Sequence, residues 1–347
     1  MQPEVLAARS APGMEPARQV ARLLARPDVT HLVVAARGSS DNAARYAQYL
    51  YGHQLRLATY LAAPSLYGDG VGPALSGAAV MGISQSGQSP DVVHVLEVAR
   101  SQRRPTVAIT NDPESPIART ADVVVPLLAG SELSVAATKS YTATLHALAQ
   151  IAVAAGADGL TDGLARLPDL IAQSVDAAFT HISGSLLAPT AASTGEPVDA
   201  SITPPPTTAV GRGTGFATAA ESALKIREVA GVRAEAYPVP DLLHGPVAAN
   251  GPGSFLWMIA SPSYPVAYWE AVAAPLAAAG VRVIALAEKG TGGLTADIVL
   301  RLPPGLPAWL FDFVAVVNGQ VAALRLGEQA ALDVDHPRGL RKVTRTT

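Results

Sequence analysis

The chain has 347 residues, of which 49% are hydrophobic and 15% charged, and its formal net charge is −3. This composition indicates a folded globular protein with one large or two ordinary domains. The scattered Lys and Arg residues disfavour nucleic-acid binding, and no apolar run approaches the ~18 residues of a membrane span. The absence of Cys excludes disulfides, thiolate metal ligands and cysteine nucleophiles. The polar amino terminus lacks a signal-peptide pattern, so we expect a soluble cytoplasmic protein.

Short apolar runs alternate with helical patterns through the first half of the chain. Residues 41–52 and 90–102 have helical spacing. A further helix is predicted within 134–156, where it would link the two halves of the chain or pack between them. The predicted strands are 31–36, 77–83, 106–110 and 122–127. This alternation predicts an α/β fold, with a parallel sheet covered by helices on both faces.

The second half repeats this organisation. Arg37-Gly38 and Arg212-Gly213 lie 175 positions apart in similar contexts, which indicates two tandem domains of the same kind. The predicted strands are 207–211, 254–260, 281–287 and 296–302, and the predicted helices are 218–231, 268–280 and 309–327. We predict a first domain over 1–156, a helix and Pro/Thr-rich linker over 157–208, a second domain over 209–330 and a carboxy-terminal tail over 331–347.

The stretch SQSGQSP at 84–90 follows a predicted buried strand. A Ser- and Gly-rich turn before a helix presents backbone N–H groups and hydroxyls to an anion. Ser39 and Ser40 end the first strand in the same way, so the two loops would form a phosphate pocket. Helix capping is the alternative, but it explains only Ser89 before Pro90. The glycines at 211–215 stop short of G-x-G-x-x-G because Phe216 fills the last position, so no nucleotide is expected.

Glu221, Lys225 and Glu228 fall at i, i+4 and i+7 of a predicted helix and share one face. Spacing alone favours an ordinary surface ion pair. His244 lies in a His-Gly-Pro turn, which would hold an imidazole outside a helix. Lys342 lies on an irregular segment near the end of the sequence. Together these residues are candidates for acid–base catalysis.

Six motifs together resemble the sugar isomerase (SIS) family over nearly the whole chain. The likeness is to the isomerase half of glutamine–fructose-6-phosphate amidotransferase and to free-standing deaminases and deglycases of amino sugar phosphates. The motifs are RGSS, SQSGQSPD, AATKSYT, ESALKIRE, HGP and DHPRGLRKVT. The resemblance implies two flavodoxin-like SIS domains and a homodimer with sites near the subunit interface.

The resemblance also implies roles for individual residues. Glu228 would transfer the proton with Lys225 beside it, His244 would open the sugar ring in the neighbouring subunit's site, and Lys342 would close over the sugar. Phosphate contacts are expected at Ser40, Ser84, Gln85, Ser86 and Ser89, and sugar contacts at Ser39, Val135 and Thr138. No metal, cofactor, nucleic acid or membrane is expected. Arg37, Leu242 and Leu243 depart from the family pattern.

The implied reaction is conversion of glucosamine 6-phosphate to fructose 6-phosphate and ammonia by proton transfer between C1 and C2. Three alternatives remain: a fructosamine-6-phosphate deglycase, a dehydratase of N-acetylglucosamine 6-phosphate and a non-catalytic sugar-phosphate sensor. A sensor would have no use for Glu228, His244 and Lys342. Without Cys, these residues cannot hydrolyse glutamine as the amidotransferase does.

Overall fold

A computed structural model describes residues 1–10, 14–68, 72–182 and 206–342. The chain divides into two compact units. Unit 1 comprises Met1–Asp169 together with Leu340–Thr347, and unit 2 comprises Leu170–Gly339. The chain passes from one unit to the other inside helix α7 (Thr161–His181). The predicted Pro/Thr-rich linker lies outside the described residues, except for 206–208.

Unit 1 is built on a parallel five-stranded sheet with the order β2-β1-β3-β4-β5. Its strands are β1 (His31–Ala36), β2 (Ala58–Leu61), β3 (Ala78–Ile83), β4 (Thr106–Thr110) and β5 (Val123–Pro126). Its helices are α1 (Gln2–Ser10), α2 (Met14–Leu24), α3 (Ser39–Gln54), α4 (Pro90–Ser101), α5 (Pro116–Thr120) and α6 (Lys139–Ala154). Val33 and Val80 face Leu96 of α4 in one core cluster, while α3 and α6 pack together. The helices therefore cover both faces, as predicted.

Unit 2 has a parallel sheet with the order β10-β9-β8-β6-β7. Read from its other end, this order repeats that of unit 1 strand for strand. The strands are β6 (Thr207–Gly211), β7 (Ala234–Pro238), β8 (Phe255–Ile259), β9 (Arg282–Glu288) and β10 (Ile298–Leu302). The helices after α7 are α8 (Thr214–Ala230), α9 (Val239–Leu243), α10 (Val266–Ala278) and α11 (Ala308–Gln329). The predicted tandem α/β architecture is confirmed.

The glycines that precede α3 and α8 have the same backbone conformation in the two units. Gly38 has φ 56° and ψ −129°, and Gly213 has φ 60° and ψ −135°. A side chain is strained at such positive φ values, so glycine is required at both turns. The internal repeat inferred from Arg37-Gly38 and Arg212-Gly213 therefore marks the same strand-to-helix turn in each unit.

All eight predicted strands are present, but the sequence did not reveal β2 and β7. Both are edge strands whose residues are mostly exposed or half-buried, so they lack the flat apolar pattern of the buried strands. The helix predicted within 134–156 is α6, which belongs to unit 1 and packs on α1, α2 and α3.

Helix α11 is long and apolar enough to cross a membrane by length and composition, yet 83% of its apolar stretch is buried within the protein. It packs along α8, and a Cβ at Gly319 would lie 2.2 Å from the Ser222 hydroxyl oxygen. Only glycine permits this close approach. The helix is therefore part of the core of unit 2 and fixes α8 in place.

Asp312 is the one acidic residue in the buried stretch 308–327 of α11, and it is completely buried. Its carboxylate accepts a hydrogen bond from the Thr218 hydroxyl on α8 (3.1 Å). Burial raises the pKa of Asp312 to about 7, because the charged form is poorly solvated there. The folded protein therefore holds a proton on Asp312 at pH values at which the unfolded chain has released it.

We expect Asp312→Asn to change how stability depends on pH. Raising the pH from about 5 to about 8 deprotonates the buried acid, so the wild type should lose more free energy of unfolding than the variant. Urea unfolding at both pH values measures this difference. Asp176→Asn, at an exposed position on α7, is the control and should behave as the wild type. Equal pH dependence in Asp312→Asn and wild type would contradict the expectation.

Candidate active site

The two serine loops of unit 1 lie side by side at the carboxyl edge of its sheet. Strands β1 and β3 are paired in parallel with Ala36 opposite Ile83, so the loops that follow them emerge together. One loop leads into α3 at Ser39 and the other into α4 at Pro90. Two helix N-termini therefore begin next to each other, which is the arrangement expected of an anion site.

The hydroxyl groups of the loop 84–89 line a tight turn. The Gly87 N–H donates to Ser84 Oγ (3.1 Å), and Ser89 Oγ lies 3.4 Å from Ser84 Oγ. The Gln88 N–H donates to Ser86 Oγ (3.3 Å). Ser89 occupies the N-cap of α4, but its side chain makes no capping hydrogen bond. Capping therefore fails to explain even Ser89, and the hydroxyl remains directed into the loop.

Gly87 and Arg37 fix the shape of these loops. Gly87 has φ 65°, and a Cβ there would lie 2.1 Å from the Ser115 hydroxyl oxygen, so only glycine fits. Arg37 directly follows β1, and its guanidinium donates to Asp91 Oδ2 of α4 (2.5 Å). This ion pair ties the Ser39–Ser40 turn to the start of α4. Arg37, a departure from the family pattern, thus joins the two loops.

The loop that precedes α6 brings together three further candidates of unit 1. Lys342 Nζ donates to the Ser134 carbonyl (2.5 Å), next to half-buried Val135. The Thr138 hydroxyl donates to Glu132 Oε1 (3.1 Å). The tail lysine therefore lies on the loop that carries the expected sugar contacts.

Glu132 is a residue of this loop that the sequence analysis missed. Its buried carboxylate accepts the backbone N–H groups of Lys139 (3.3 Å) and Ser140 (2.9 Å) at the start of α6. It also contacts the Ser140 hydroxyl. A carboxylate at a helix N-terminus is stabilised by the helix dipole. Glu132 therefore stabilises the conformation of the loop. Its role could not be predicted from the sequence, because it belongs to no motif with a fixed spacing.

Three charged side chains of α8 in unit 2, those of Glu221, Lys225 and Glu228, form one largely buried cluster. Glu221 and Lys225 are 0% and 1% exposed, while the Glu228 side chain is 24% exposed. Lys225 Nζ lies 3.5 Å from Glu221 Oε1 and also contacts Glu228 Oε2 directly. The interpretation of these residues as a surface ion pair is therefore wrong. The shared helix face is real, but Glu221 and Lys225 on it are buried.

The Lys225 ammonium is charged in spite of its burial. Burial by itself would lower its pKa, but the carboxylates of Glu221 and Glu228 outweigh that effect and raise the pKa above its ordinary value. Glu228 is the member that reaches solvent, so it is the carboxylate that a ligand could contact.

His244 ends α9, and its imidazole is exposed. Among the described residues, this imidazole forms no hydrogen bond or ion pair, so no contact joins it to Glu228. The described parts of the chain also contain no group of three or more acidic or histidine side chains that could hold a metal ion. The candidate chemistry therefore rests on carboxylate, ammonium, imidazole and hydroxyl groups.

Residues 27–154 match the family model described as SIS domain. The chain carries a SIS domain. This range contains both serine loops and α6, so the predicted resemblance to the SIS family is confirmed for this part of the chain. The second sheet, with its repeated strand order, agrees with a tandem SIS arrangement.

Comparison with known proteins extends the similarity over most of the chain. Glutamine–fructose-6-phosphate aminotransferase (isomerizing) of Bradyrhizobium diazoefficiens is 31% identical over 329 residues, which cover 91% of this chain and 52% of that protein. The chain thus spans about half the length of the curated relatives it matches. The aminotransferase of Aeropyrum pernix is 32% identical over 76% of this chain and 42% of its own length.

Solved structures share the fold of this chain over most of its length. The C-terminal domain of glucosamine-fructose-6-phosphate aminotransferase from Francisella tularensis superimposes with a TM-score of 0.82 at 24% identity, covering 97% of this chain and 96% of that one. Glucosamine-6-phosphate deaminase from Thermotoga maritima gives a TM-score of 0.71 at 19% identity, covering 99% and 100%. At these identities the likeness concerns the fold.

We expect Lys225→Met to destabilise unit 2 strongly, because it leaves the carboxylate of Glu221 buried without its counter-charge. Breaking such a buried pair costs about 3–5 kcal/mol. Glu221→Gln in the same chain should recover part of that loss, and denaturant unfolding measures both effects. Arg18→Met, in an exposed ion pair with Glu15, is the control and should change stability far less. Similar losses for Lys225→Met and Arg18→Met would contradict the buried cluster.

Proposed function

We propose that this SIS-domain protein is an enzyme that converts glucosamine 6-phosphate and water to fructose 6-phosphate and ammonia. The observation that carries the proposal is the α8 cluster, in which Lys225 contacts Glu228 and leaves part of that carboxylate open to solvent. A carboxylate that is fixed in position and open to a ligand is suited to move a proton between neighbouring carbons. The similarity to isomerizing aminotransferases over most of the chain supports an amino sugar phosphate as the substrate.

The substrate's phosphate would bind at the serine loops of unit 1. Ser84, Gln85, Ser86 and Ser89, with Ser40 of the adjacent turn, supply hydroxyl and N–H donors without a lysine. The N-termini of α3 and α4 favour a dianion at this position. Binding energy from a phosphate remote from the reacting carbons would hold the open-chain sugar in place for proton transfer.

The reaction would begin with ring opening, in which His244 transfers the proton of the C1 hydroxyl to the ring oxygen as the C1–ring oxygen bond breaks and the C1 aldehyde forms. Glu228 would then remove the C2 proton, giving an enolamine between C1 and C2. Return of that proton to C1 would give a C2 imine, and water would add to C2 and release ammonia. All atoms balance with water as the one co-reactant, and one carboxylate is enough because both proton positions lie on adjacent carbons.

Lysines would stabilise the negative charge that develops on the C1 oxygen during proton transfer. Lys342, held at the loop of Val135 and Thr138, is the proposed contact with the sugar. Lys225 is engaged by two carboxylates, so we assign it the task of holding Glu228 in place. Ser39, Val135 and Thr138 would contact the sugar hydroxyls. We also propose a cytoplasmic homodimer in which His244 serves the neighbouring subunit's site.

Three other functions use parts of the same machinery. A deglycase would apply Glu228 to a fructosamine 6-phosphate. With an acylated amine, deprotonation at C2 would favour loss of the C3 hydroxyl from N-acetylglucosamine 6-phosphate. A sensor would bind a sugar phosphate and release no product. The ion cluster of α8 favours an enzyme, because a sensor gains nothing from burying Lys225 and Glu221 beside a partly open Glu228. Product analysis with each sugar phosphate separates these functions.

We expect purified protein to release ammonia from glucosamine 6-phosphate, and Glu228→Gln to lose at least about a hundredfold in rate because the amide cannot accept the C2 proton. Coupled detection of ammonia and fructose 6-phosphate measures this. Glu328→Gln, at an exposed glutamate of α11, is the matched control and should keep full activity. Equal rates for Glu228→Gln and wild type would exclude Glu228 as the proton carrier.

Mixing two inactive variants tests the dimer. If His244 acts in the neighbouring subunit's site, Glu228→Gln and His244→Asn chains form mixed dimers with one complete site. Activity should then return to about a quarter of wild type, since half of the dimers are mixed and each has one complete site. Refolding the two variants together and assaying ammonia release gives the result. No recovery, with mixed dimers demonstrated by mass, would place His244 in its own subunit's site.

A further inference from the structure

A groove within unit 2 lies away from the α8 cluster. It has a volume of about 370 Å³ and is lined by residues of α7, α11 and the edge strand β10, with Lys289 at its rim. This volume falls in the range of small-molecule sites. None of its lining residues belongs to the proposed catalytic machinery, so the groove would serve a separate purpose.

The charges that line the groove are all basic. His181, Lys289 and Arg301 contribute cations or a titratable imidazole, and the described lining contains no Asp or Glu. Lys289 is exposed, and its ammonium forms no hydrogen bond or ion pair with described residues. Arg301 uses only Nη1, which donates to the carbonyls of Glu288 (3.3 Å) and Thr291 (2.6 Å). Its remaining donors and the Lys289 ammonium are therefore left for an anion.

The floor of the groove is polar and well ordered. Ser174 Oγ donates to the Val314 carbonyl (3.0 Å). Asn318 Nδ2 donates to the same carbonyl (3.1 Å) and lies 3.4 Å from Ser174 Oγ. Both side chains are almost completely buried. Because the Asn318 amide nitrogen is committed to these partners, its amide oxygen is the atom that can accept a ligand hydroxyl.

The position of the groove in the sheet also suits a ligand. Lys289 directly follows β9 and Pro303 directly follows β10, so the groove reaches the carboxyl edge of a parallel sheet. Open α/β sheets bind ligands at this edge. Val299 and Leu302 supply apolar surface along the same wall. Cations at one end, an amide oxygen on the floor and an apolar wall together match a short hydroxylated carbon chain that ends in phosphate.

We propose that this groove binds a small hydroxylated phosphate ester, with its phosphate at Lys289 and Arg301 and a hydroxyl at Asn318. This site is distinct from the serine loops and does not depend on the proposed deaminase activity. Phosphate favours such a position because charge-assisted hydrogen bonds to Lys and Arg are stronger than neutral ones. The Lys289 ammonium is the contact whose removal disturbs the fold least, since its side chain supports no other described residue.

Calorimetric titration with glycerol 3-phosphate tests the proposal, with uncharged glycerol as the reference ligand. The full chain carrying Ser84→Ala and Ser86→Ala is used so that the serine loops do not contribute. In that background we expect one remaining site for glycerol 3-phosphate and none for glycerol. Adding Lys289→Gln should weaken binding about tenfold, because one charged contact to phosphate is lost. Adding Arg233→Gln, at an exposed cation of unit 2 outside the groove, should leave binding unchanged.

Two results would overturn the site. One is the absence of glycerol 3-phosphate binding in the Ser84→Ala/Ser86→Ala chain, provided that thermal unfolding shows it to be folded. The other is equal binding by the Lys289→Gln and Arg233→Gln chains. His181→Gln gives a second variant on the opposite wall and should also weaken binding. Ammonia release by wild type is measured separately, so failure of the groove and failure of the proposed reaction remain distinguishable.

Discussion

A buried ammonium on α8 is the constraint on which the rest of unit 2 depends. A charge removed from water is tolerated only when opposite charges and hydrogen bonds replace its hydration. Lys225 satisfies this requirement through Glu221 and Glu228 on its own helix, so the cluster needs α8 to remain regular over two turns. The tight contact of Gly319 with Ser222 holds α11 against the same helix. The packing of α8 and the ionisation of Lys225 are therefore linked, because both require a regular α8.

The candidate anion site of unit 1 depends on the backbone geometry at the ends of neighbouring strands. Gly38 and Gly87 adopt positive φ values that open the turns before α3 and α4. Because β1 and β3 are adjacent, these turns present two helix N-termini at one edge of the sheet. Hydroxyl side chains supply the remaining donors, and Arg37 joins the two turns through Asp91. The duplication gave unit 2 the same turn at Gly213, but without the run of serines.

The sequence was sufficient for the parts of the fold that carry strong local patterns. Flat apolar runs located β1, β3, β4 and β6 to within a residue, because buried parallel strands are apolar on both faces. The edge strands β2 and β7 have no such pattern, since they are partly exposed. Spacing placed Glu221, Lys225 and Glu228 on one face but could not show that the face is buried. That fact depends on the elements packed around α8, which are distant in the sequence.

Other residues escaped prediction because their roles arise from tertiary contacts. Glu132 acts on a helix that begins seven residues later, and nothing in its neighbourhood marks it as a cap. Asp312 could have been predicted from the sequence, because it is a lone acidic residue in an apolar helix. An acidic side chain in such a helix is buried together with its hydrogen-bond partners. The Asn318 contacts of the unit 2 groove join residues of α7 and α11 and leave no local pattern either.

The ionisation of Lys225 is the most direct test of this account. The chain has four lysines, so NMR of protein with isotope-labelled lysine side chains gives few signals, and the one missing from Lys225→Met belongs to Lys225. The ordinary pKa of a lysine is 10.5. We expect the Lys225 ammonium to keep its proton above that pH, because two carboxylates raise its pKa. Loss of the proton at or below that value would mean that burial outweighs the carboxylates. Glu228 would then lack the charged partner on which the proposed chemistry rests.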